Sequence, residues 1–290
     1  MVDIITLATN IMAISALYAI VAIGFTLIFG VGGIFNLAHG GLLAAGGFIS
    51  YLTITSLGAN VFFSLLYATV GIGLLGAVVY LVVIRPIENN QVAVLLITLL
   101  VGFFIQHTFG IFMTKQKFSI PEVLTGSFSF GNQTIQHNMI FVFISAWVAI
   151  AGLFLLVERT RIGKSMVAMS MSKRGSAIVG IDAKQTSLFT WVVASMLAGF
   201  AGVLFTSFRS GVWNMGIDPL IISFVIVVLG GLGSIKGSVV AAHLVGGIEV
   251  VVTRIIDPQL TGVVPLVLLV VILLIRPQGL YGREVTGSDA

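Results

Sequence analysis

Two long apolar runs border a short, strongly basic stretch in the middle of the chain. The runs are IFVFISAWVAIAGLFLLV at 140–157 and TSLFTWVVASMLAGFAGVLFTSF at 186–208. Each is long enough to cross the ~30 Å hydrocarbon layer of a bilayer, since a helix rises about 1.5 Å per residue. The stretch at 158–184 holds six of the fourteen basic residues. Because Lys- and Arg-rich short loops resist translocation, this pattern predicts a membrane protein whose basic loop is cytoplasmic.

The composition agrees with a chain embedded in membrane lipid. Of the 290 residues, 58% are apolar and 8% are charged, whereas soluble domains carry about 25% charged residues. The net charge of +4 lies mainly in the basic stretch, so it indicates membrane topology and no nucleic-acid partner is expected. The chain has no cysteine, which excludes disulfides and thiolate metal sites.

We predict one all-α transmembrane domain over residues 1–290, with eight to ten helices that include glycine-broken or half helices. Nine crossings with the basic loop inside would place the N-terminus outside and the C-terminal tail, with Arg276 and Arg283, in the cytoplasm. Arg85 and Lys236 fall on the same side as the basic loop. The alternating SFSFGNQT at 127–134 predicts a short hairpin. The predicted apolar segments are residues 4–29, a helix ending near 51–54, 61–84, 92–113, 140–157, 187–208, 220–229, 239–252 and 263–275.

Two glycine clusters interrupt these segments, GVGGIFNLAHGG at 30–41 and GGLGSIKG at 230–237. Each precedes a small-residue helix that carries a histidine, His39 in one and His243 in the other. Paired helix breaks in the two halves of a transporter commonly mark the substrate pathway. Alternatively, the glycines only permit tight helix crossings. The predicted pathway residues at these breaks are Asn36, His39, Gly40, Gly231, Gly233 and Ser234.

Glu249 is the only acid well inside an apolar helix, and we include it among the candidate pathway residues. A carboxyl group in hydrocarbon is costly and by default suggests a functional site. The alternatives are a structural partner for Arg254 or His243, or a protonated group. Arg209 and Asp218 stand at predicted helix ends, where we expect solvated roles.

The tripeptide Gly163-Lys164-Ser165 matches the end of a phosphate-binding P-loop, but Glu158 stands where that motif requires its first glycine. No buried strand precedes it. We therefore predict that the chain binds no nucleotide and is not itself an enzyme. The four histidines are scattered, with no carboxylate close in sequence, so neither a metal nor another cofactor is expected.

Within the basic stretch, the Met- and Ala-rich residues 165–177 predict a short helix that ends at Gly180-Ile181-Asp182. Such a loop could anchor the topology or bind anionic lipid. Its apolar content exceeds what a solvated loop requires, which indicates a helix that docks into the groove of a partner. These apolar residues are Met166, Val167, Met169, Met171, Ala177, Ile178 and Val179.

Several short motifs occur in a fixed order along almost the whole chain. They are FTLIFG at 25–30 with NLAHG at 36–40, RP at 85–86, GID at 180–182, LGGLGS at 229–234 with Gly237, and RPQGLYG at 276–282. In order and spacing they resemble the permease subunits of branched-chain amino acid ABC importers of the LivH type.

This resemblance implies the type II importer permease fold in the plasma membrane of a prokaryote. It also implies a complex with a second related permease, two cytosolic ATPases that bind the ATP, and an extracytoplasmic substrate-binding protein. Residues 158–185 would form the coupling loop to the ATPases. Family members usually carry an acidic element before the GID motif, whereas this chain reads KRGSA at 173–177. The implied coupling residues are Met169, Lys173, Arg174, Ala177, Gly180, Ile181 and Asp182.

The expected function is therefore one half of a translocation pathway for branched-chain or other amino acids. A hydrophobic amino acid needs polar groups for its ammonium and carboxylate and an apolar wall for its side chain. The rival hypothesis is an ATP-independent carrier or channel for a small neutral solute such as urea, with Glu249 as a proton site.

Overall fold

The computed structural model describes residues 4–112, 116–130 and 133–282. One two-stranded hairpin, β1 (Ser127–Phe130) with β2 (Gln133–Gln136), accompanies the helices. Helix α3 continues through a π-helical turn, Val79–Ile84, and a 3₁₀ turn, Arg85–Ile87, and a further 3₁₀ turn is Pro258–Leu260. The helices are α1 (Ile4–Gly32), α2 (His39–Leu57), α3 (Val61–Val78), α4 (Gln91–Phe112), α5 (His137–Arg159), α6 (Arg161–Met171), α7 (Lys173–Ile178), α8 (Ala183–Phe208), α9 (Ile217–Gly230), α10 (Ile235–Ile255) and α11 (Val263–Ile275).

Seven of these helices in the described part of the chain are long and apolar enough to cross a membrane: α1, α2, α3 with its continuation, α4, α5, α8 and α10. The apolar helices α9 and α11 are shorter. Together they correspond to the nine predicted segments, and the all-α membrane architecture is confirmed.

Helix α1 forms the centre of the bundle. In the most apolar stretch of 18 consecutive residues in α1, 89% of the residues are buried within the protein. The corresponding share is 28% in α4 and in α5. A helix that is apolar on all sides is expected in an interior position. Helices α10, α8, α5 and α9 surround α1, with Gly246 of α10 lying against Ser15 and Gly233 lying near Gly30. Helices α1 and α10 are therefore antiparallel neighbours.

Small residues let α2, α3 and α8 approach closely. A Cβ atom at Gly46 of α2 would lie 2.6 Å from the Cα atom of Gly199 in α8, and one at Gly202 would collide with the carbonyl oxygen of Leu43. Contacts of this kind account for many of the glycines, because helix association in lipid depends on van der Waals packing.

The basic loop, the end of α3 and the C-terminal segment lie at one end of the bundle. Lys236 and Glu158 form an ion pair of 3.8 Å, Asn89 lines a cavity with Lys173, and Gln278 lines another with Ser170. These contacts match the predicted grouping of Arg85, the basic loop, Lys236 and the tail on one side. The N-terminal residues 1–3 and Arg283 lie outside the described residues.

The predicted hairpin is confirmed. Its strands are antiparallel with Ser127 opposite Gln136, and its turn residues 131–132 lie outside the described residues. It precedes α5 directly, and the His137 N–H donates a 3.0 Å hydrogen bond to the Gly126 carbonyl oxygen.

Two predicted boundaries were wrong. The first helix break is residues 33–38, shorter than the predicted 30–41, because α1 continues through Gly32 and α2 already begins at His39. The single helix predicted at 165–177 is two helices, α6 and α7, that meet at Ser172. The backbone of Ser172 is extended (φ −161°, ψ 113°), and its Oγ accepts a 3.0 Å hydrogen bond from the Gly175 N–H, which caps α7.

Candidate functional site

Backbone N–H groups of the first helix break form hydrogen bonds with protein. The Gly33 N–H donates a 2.7 Å hydrogen bond to the Phe29 carbonyl, and the Leu37 N–H donates one of 3.2 Å to Thr98 Oγ1. Asn36 is 1% exposed, and its Oδ1 accepts a 3.1 Å hydrogen bond from the Ala38 N–H. This is how an irregular segment is tolerated at membrane depth.

His39 fixes the start of α2 against the middle of α1. Its ring is fully buried, its Nε2 donates a 3.1 Å hydrogen bond to the Val21 carbonyl, and it packs edge-on against Phe25. A Cβ atom at the adjacent Gly40 would lie 2.9 Å from Leu220 Cβ and would collide with the Gly216 carbonyl. The structure thus places Gly40 at a tight crossing of α2 and α9.

The second break turns α9 into α10. Gly231 (φ +101°) and Gly233 (φ +80°) adopt backbone conformations that favour glycine. Ser234 Oγ then accepts a 3.1 Å hydrogen bond from the Gly237 N–H and caps α10. The C-terminal segment covers this turn, since the Leu280 and Tyr281 N–H groups donate to the carbonyls at the end of α9, at 2.8 and 3.0 Å.

The two breaks meet at one cleft. A Cβ atom at Gly30 would lie 3.5 Å from the Gly233 Cα, and both residues line a cavity of about 620 Å³ together with Ser234. Ser170 of α6 and Gln278 of the C-terminal segment also line it. We call this cavity the break cleft. Of the predicted pathway residues, the structure brings Gly233 and Ser234 into it, while His39 and Gly40 lie deeper in the bundle.

The basic loop contacts the first break directly. Lys173 Nζ donates a 2.7 Å hydrogen bond to the Gly32 carbonyl, the last residue of α1. Met169 and Lys173 line a cavity of about 240 Å³ that Asn36 also lines. The helices α6 and α7 are therefore connected to the segment at which α1 gives way to α2.

The predicted coupling residues have different positions. Met169 is 4% exposed and faces the bundle, whereas Arg174 and Ala177 are exposed on α7. Large apolar side chains are also exposed here, with Ile178 at 81% and Val179 at 74%. The outward surface of α7 is thus partly apolar, as a docking surface requires.

The GID motif sets the junction between α7 and α8. Gly180 (φ +81°) donates from its N–H to the Ala177 carbonyl at 3.1 Å, and the Ile181 N–H donates to the Ser176 carbonyl at 3.0 Å. This hydrogen-bond pair is the Schellman motif. Asp182 Oδ1 then accepts from the Lys184 and Gln185 N–H groups at 2.8 and 3.2 Å and caps α8.

Glu249 lies apart from the breaks. It is 4% exposed on α10, and its carboxyl faces the Tyr18 hydroxyl of α1. Within the described residues no ion pair joins it to Arg254, and His243 instead bonds through Nδ1 to the Val239 carbonyl of its own helix at 2.8 Å. Neither structural partner considered for Glu249 is therefore found. Tyr18 was not anticipated, because nothing in the sequence links it to a residue 231 positions later.

The chain matches known transport proteins over most of its length. A family model described as "Branched-chain amino acid transport system / permease component" matches residues 7–273. The high-affinity branched-chain amino acid transport system permease protein BraD of Pseudomonas aeruginosa is 29% identical, over 94% of both chains. The corresponding LivH protein of Escherichia coli is 26% identical, also over 94% of both chains.

A solved structure has the same fold. PsaBC from Streptococcus pneumoniae in complex with Fab aligns with a TM-score of 0.52 at 12% identity, covering 95% of this chain and 94% of that one. None of these matches supports the neutral-solute carrier considered as a rival. The chain belongs to the family of permease components of branched-chain amino acid transport systems.

Proposed function

We propose that this protein is a transmembrane subunit of an ATP-driven importer for branched-chain amino acids and forms one half of its pathway. The complex would contain a second related permease, two cytosolic ATPases and an extracytoplasmic substrate-binding protein. The family model over residues 7–273 supports this assignment. ATP hydrolysis would belong to the partner subunits, because Glu158 stands at the position where a P-loop requires its first glycine.

In this proposal, the end of the bundle that carries α6 and α7 faces the cytoplasm. Six of the fourteen basic residues lie in the loop at 158–184, and short basic loops resist translocation. The N-terminus would then be outside and the C-terminal segment inside, since the start of α1 and residues 276–282 lie at opposite ends of the bundle.

The observation that carries the proposal is the contact between Lys173 and Gly32 at the end of α1. An ATPase docked on the exposed surface of α7 would move α7, and the hydrogen bond would transmit that movement to the break at 33–38. Because this break and the second one both border the break cleft, the cleft would widen or narrow with the state of the ATPase.

The chemistry of the break cleft suits release of an amino acid. None of the described residues that line it is charged. A zwitterion would therefore find no ion pair there, and its binding would be weak. Weak binding at this end favours exit, while selectivity would reside in the external binding protein.

The test is co-purification with the candidate ATPases, second permease and binding protein, followed by reconstitution in liposomes. We expect uptake of labelled leucine, isoleucine and valine that requires both ATP and the binding protein. The matched control carries an ATPase subunit unable to hydrolyse ATP. Uptake that persists in that control, or that is driven by a pH gradient alone, would contradict the proposal.

A further inference from the structure

A third cavity opens at the end of the bundle opposite to α6 and α7. Its volume is about 300 Å³, and it lies between the end of α8, the start of α9 and the segment that leads into α11. Arg209 follows the last residue of α8, about 39 Å along that helix from the Asp182 cap, given 26 residues at ~1.5 Å each. We call this cavity the outer pocket.

The outer pocket carries one positive and one negative side chain. Arg209 and Asp218 both line it and both are exposed. They do not pair with each other, because the only ion pair within the described residues joins Glu158 to Lys236. The Arg209 guanidinium stacks over the Phe208 ring at 5.9 Å, which leaves its N–H groups available.

The floor of the outer pocket is polar although it is deeply buried. Tyr18 lines the pocket and is 4% exposed, and its hydroxyl faces the Glu249 carboxyl. Glu249 Oε2 is buried and has no hydrogen-bond partner among the described residues. Glu249 does not itself line the pocket, so the polar group at the floor is the Tyr18 hydroxyl.

The remaining wall of the outer pocket is apolar, with Phe205, Met215, Ile222 and Leu266 among its residues. A wall of this kind beside two opposite charges matches an amino acid with a hydrophobic side chain. The volume lies at the lower end of the ~300–1,000 Å³ typical of small-molecule sites, which suits a ligand of this size.

We propose that the outer pocket binds the zwitterion of a hydrophobic amino acid before it crosses the membrane. Arg209 would pair with its carboxylate, Asp218 would pair with its ammonium group, and the apolar wall would receive its side chain. Charge-assisted hydrogen bonds of this kind are the strong ones available to such a ligand. This inference rests on the proposed function for the class of substrate and for the outward orientation of this end.

The outer pocket is separate from the break cleft. Tyr18 lines the first and Phe29 the second, about 16 Å apart along α1 at ~1.5 Å per residue. Between these depths His39 is bonded to Val21, and the Phe25 ring stacks on Phe35 at 5.9 Å between centroids. The pocket is therefore an acceptor site on the outer side of a closed segment.

The experiment is photolabelling of the purified complex with a diazirine analogue of leucine, without the binding protein, followed by mapping of the labelled peptides. We expect labelling within 205–222 and 261–266. Leucine should compete better than 4-methylpentanoate, which lacks the ammonium group, and better than isoamylamine, which lacks the carboxylate.

Two variants test the charges individually. Arg209→Gln should weaken competition by leucine about tenfold or more and remove its advantage over isoamylamine, because the ligand carboxylate would lose its hydrogen bonds to a charged group. Asp218→Asn should instead remove the advantage over 4-methylpentanoate. Arg209→Lys, which keeps the charge, should retain part of the preference. Arg254→Gln also removes one positive charge, but outside the pocket. In this control variant, leucine and its analogues should compete as they do in the unmodified protein.

Failure of this inference can be told apart from failure of the proposed function. If ATP-driven leucine uptake is present but labelling maps outside the outer pocket, or Arg209→Gln matches Arg254→Gln, the outer pocket is not the acceptor site and the transport assignment stands. If uptake is absent from the reconstituted complex, the proposed function fails. Comparable thermal unfolding of the variants shows that a loss of labelling is not a loss of fold.

Discussion

Lys173 and Gly32 are 141 residues apart in sequence and are joined by a 2.7 Å hydrogen bond from Nζ to the carbonyl oxygen. The bond ties α7 of the basic loop to the end of α1, directly before the first helix break. Helix α1 is the most buried of the candidate spans. A movement of its end would therefore also shift the helices that pack against it, α8, α9 and α10. A surface helix is thereby connected to the centre of the bundle.

The junction between α7 and α8 should depend on glycine at position 180. We predict that Gly180→Ala weakens ATPase retention, because φ is +81° and a left-handed backbone costs an L-residue about 1–2 kcal/mol. The measurement is the amount of ATPase that co-purifies with the permease. Gly180→Asn should retain more ATPase, since asparagine tolerates this region better than alanine does. Equal retention by the alanine variant and the unmodified protein would contradict the role given to this turn.

The crossing of α2 and α8 should not accept even one methyl group. We predict that Gly202→Ala lowers the melting temperature markedly, because the new Cβ would collide with the Leu43 carbonyl in a neighbouring backbone. Overpacking of this kind typically costs about 1–3 kcal/mol. The control is Gly152→Ala in α5, where the Cβ would have no neighbour within 4 Å. Thermal unfolding in detergent compares the two, and equal melting temperatures would show that the crossing can relax.

A buried hydroxyl pair should couple α1 to α10. The Thr26 and Ser238 oxygens lie 2.6 Å apart and both residues are fully buried. We predict an interaction energy of about 0.5–1 kcal/mol in a double-mutant cycle of Thr26→Val and Ser238→Ala, in the range found for hydrogen bonds between membrane helices. Reversible unfolding of the four proteins gives this value, and strictly additive effects would mean that the pair contributes no coupling.

The orientation can be tested with single cysteines, because the natural chain contains none. We predict that a cysteine replacing Gln259 reacts with a membrane-impermeant maleimide in intact cells. One replacing Arg174 should react only after the membrane is opened. Both positions are exposed and lie at opposite ends of the bundle. The reverse pattern would place α6 and α7 outside and exclude docking of a cytosolic ATPase there.

Much of the fold follows from local sequence signals. The nine apolar segments, the hairpin at 127–136 and the turn at Gly180 are each determined by residues close in sequence, through hydrophobic length, alternation and the need for a positive φ. The end of α6 was missed because Met171 and Lys173 are good helix formers. The two helices are divided by the extended backbone of Ser172 and by the capping bond that the Gly175 N–H donates to Ser172 Oγ.

The candidate sites could be predicted less completely. Gly40 and Gly233 look alike in sequence, yet one packs against Gly216 and the other borders the break cleft, since only the tertiary arrangement decides which backbone lies opposite. Arg209 and Asp218 were expected to be solvated helix ends. They are exposed, but the loop at 209–216 brings them to the same pocket. That convergence has no signal in the linear chain.

Movement of α7 is expected to reach the first helix break through the hydrogen bond between Lys173 and Gly32. The most direct test measures leucine uptake and ATP hydrolysis in the same reconstituted sample. We predict that Lys173→Met lowers the leucine transported per ATP hydrolysed several-fold while the ATPase still docks and hydrolyses ATP. Arg174→Met removes the neighbouring exposed charge, which has no contact with Gly32. In this control variant, the leucine transported per ATP hydrolysed should stay the same. An unchanged ratio of uptake to hydrolysis in Lys173→Met would contradict the account.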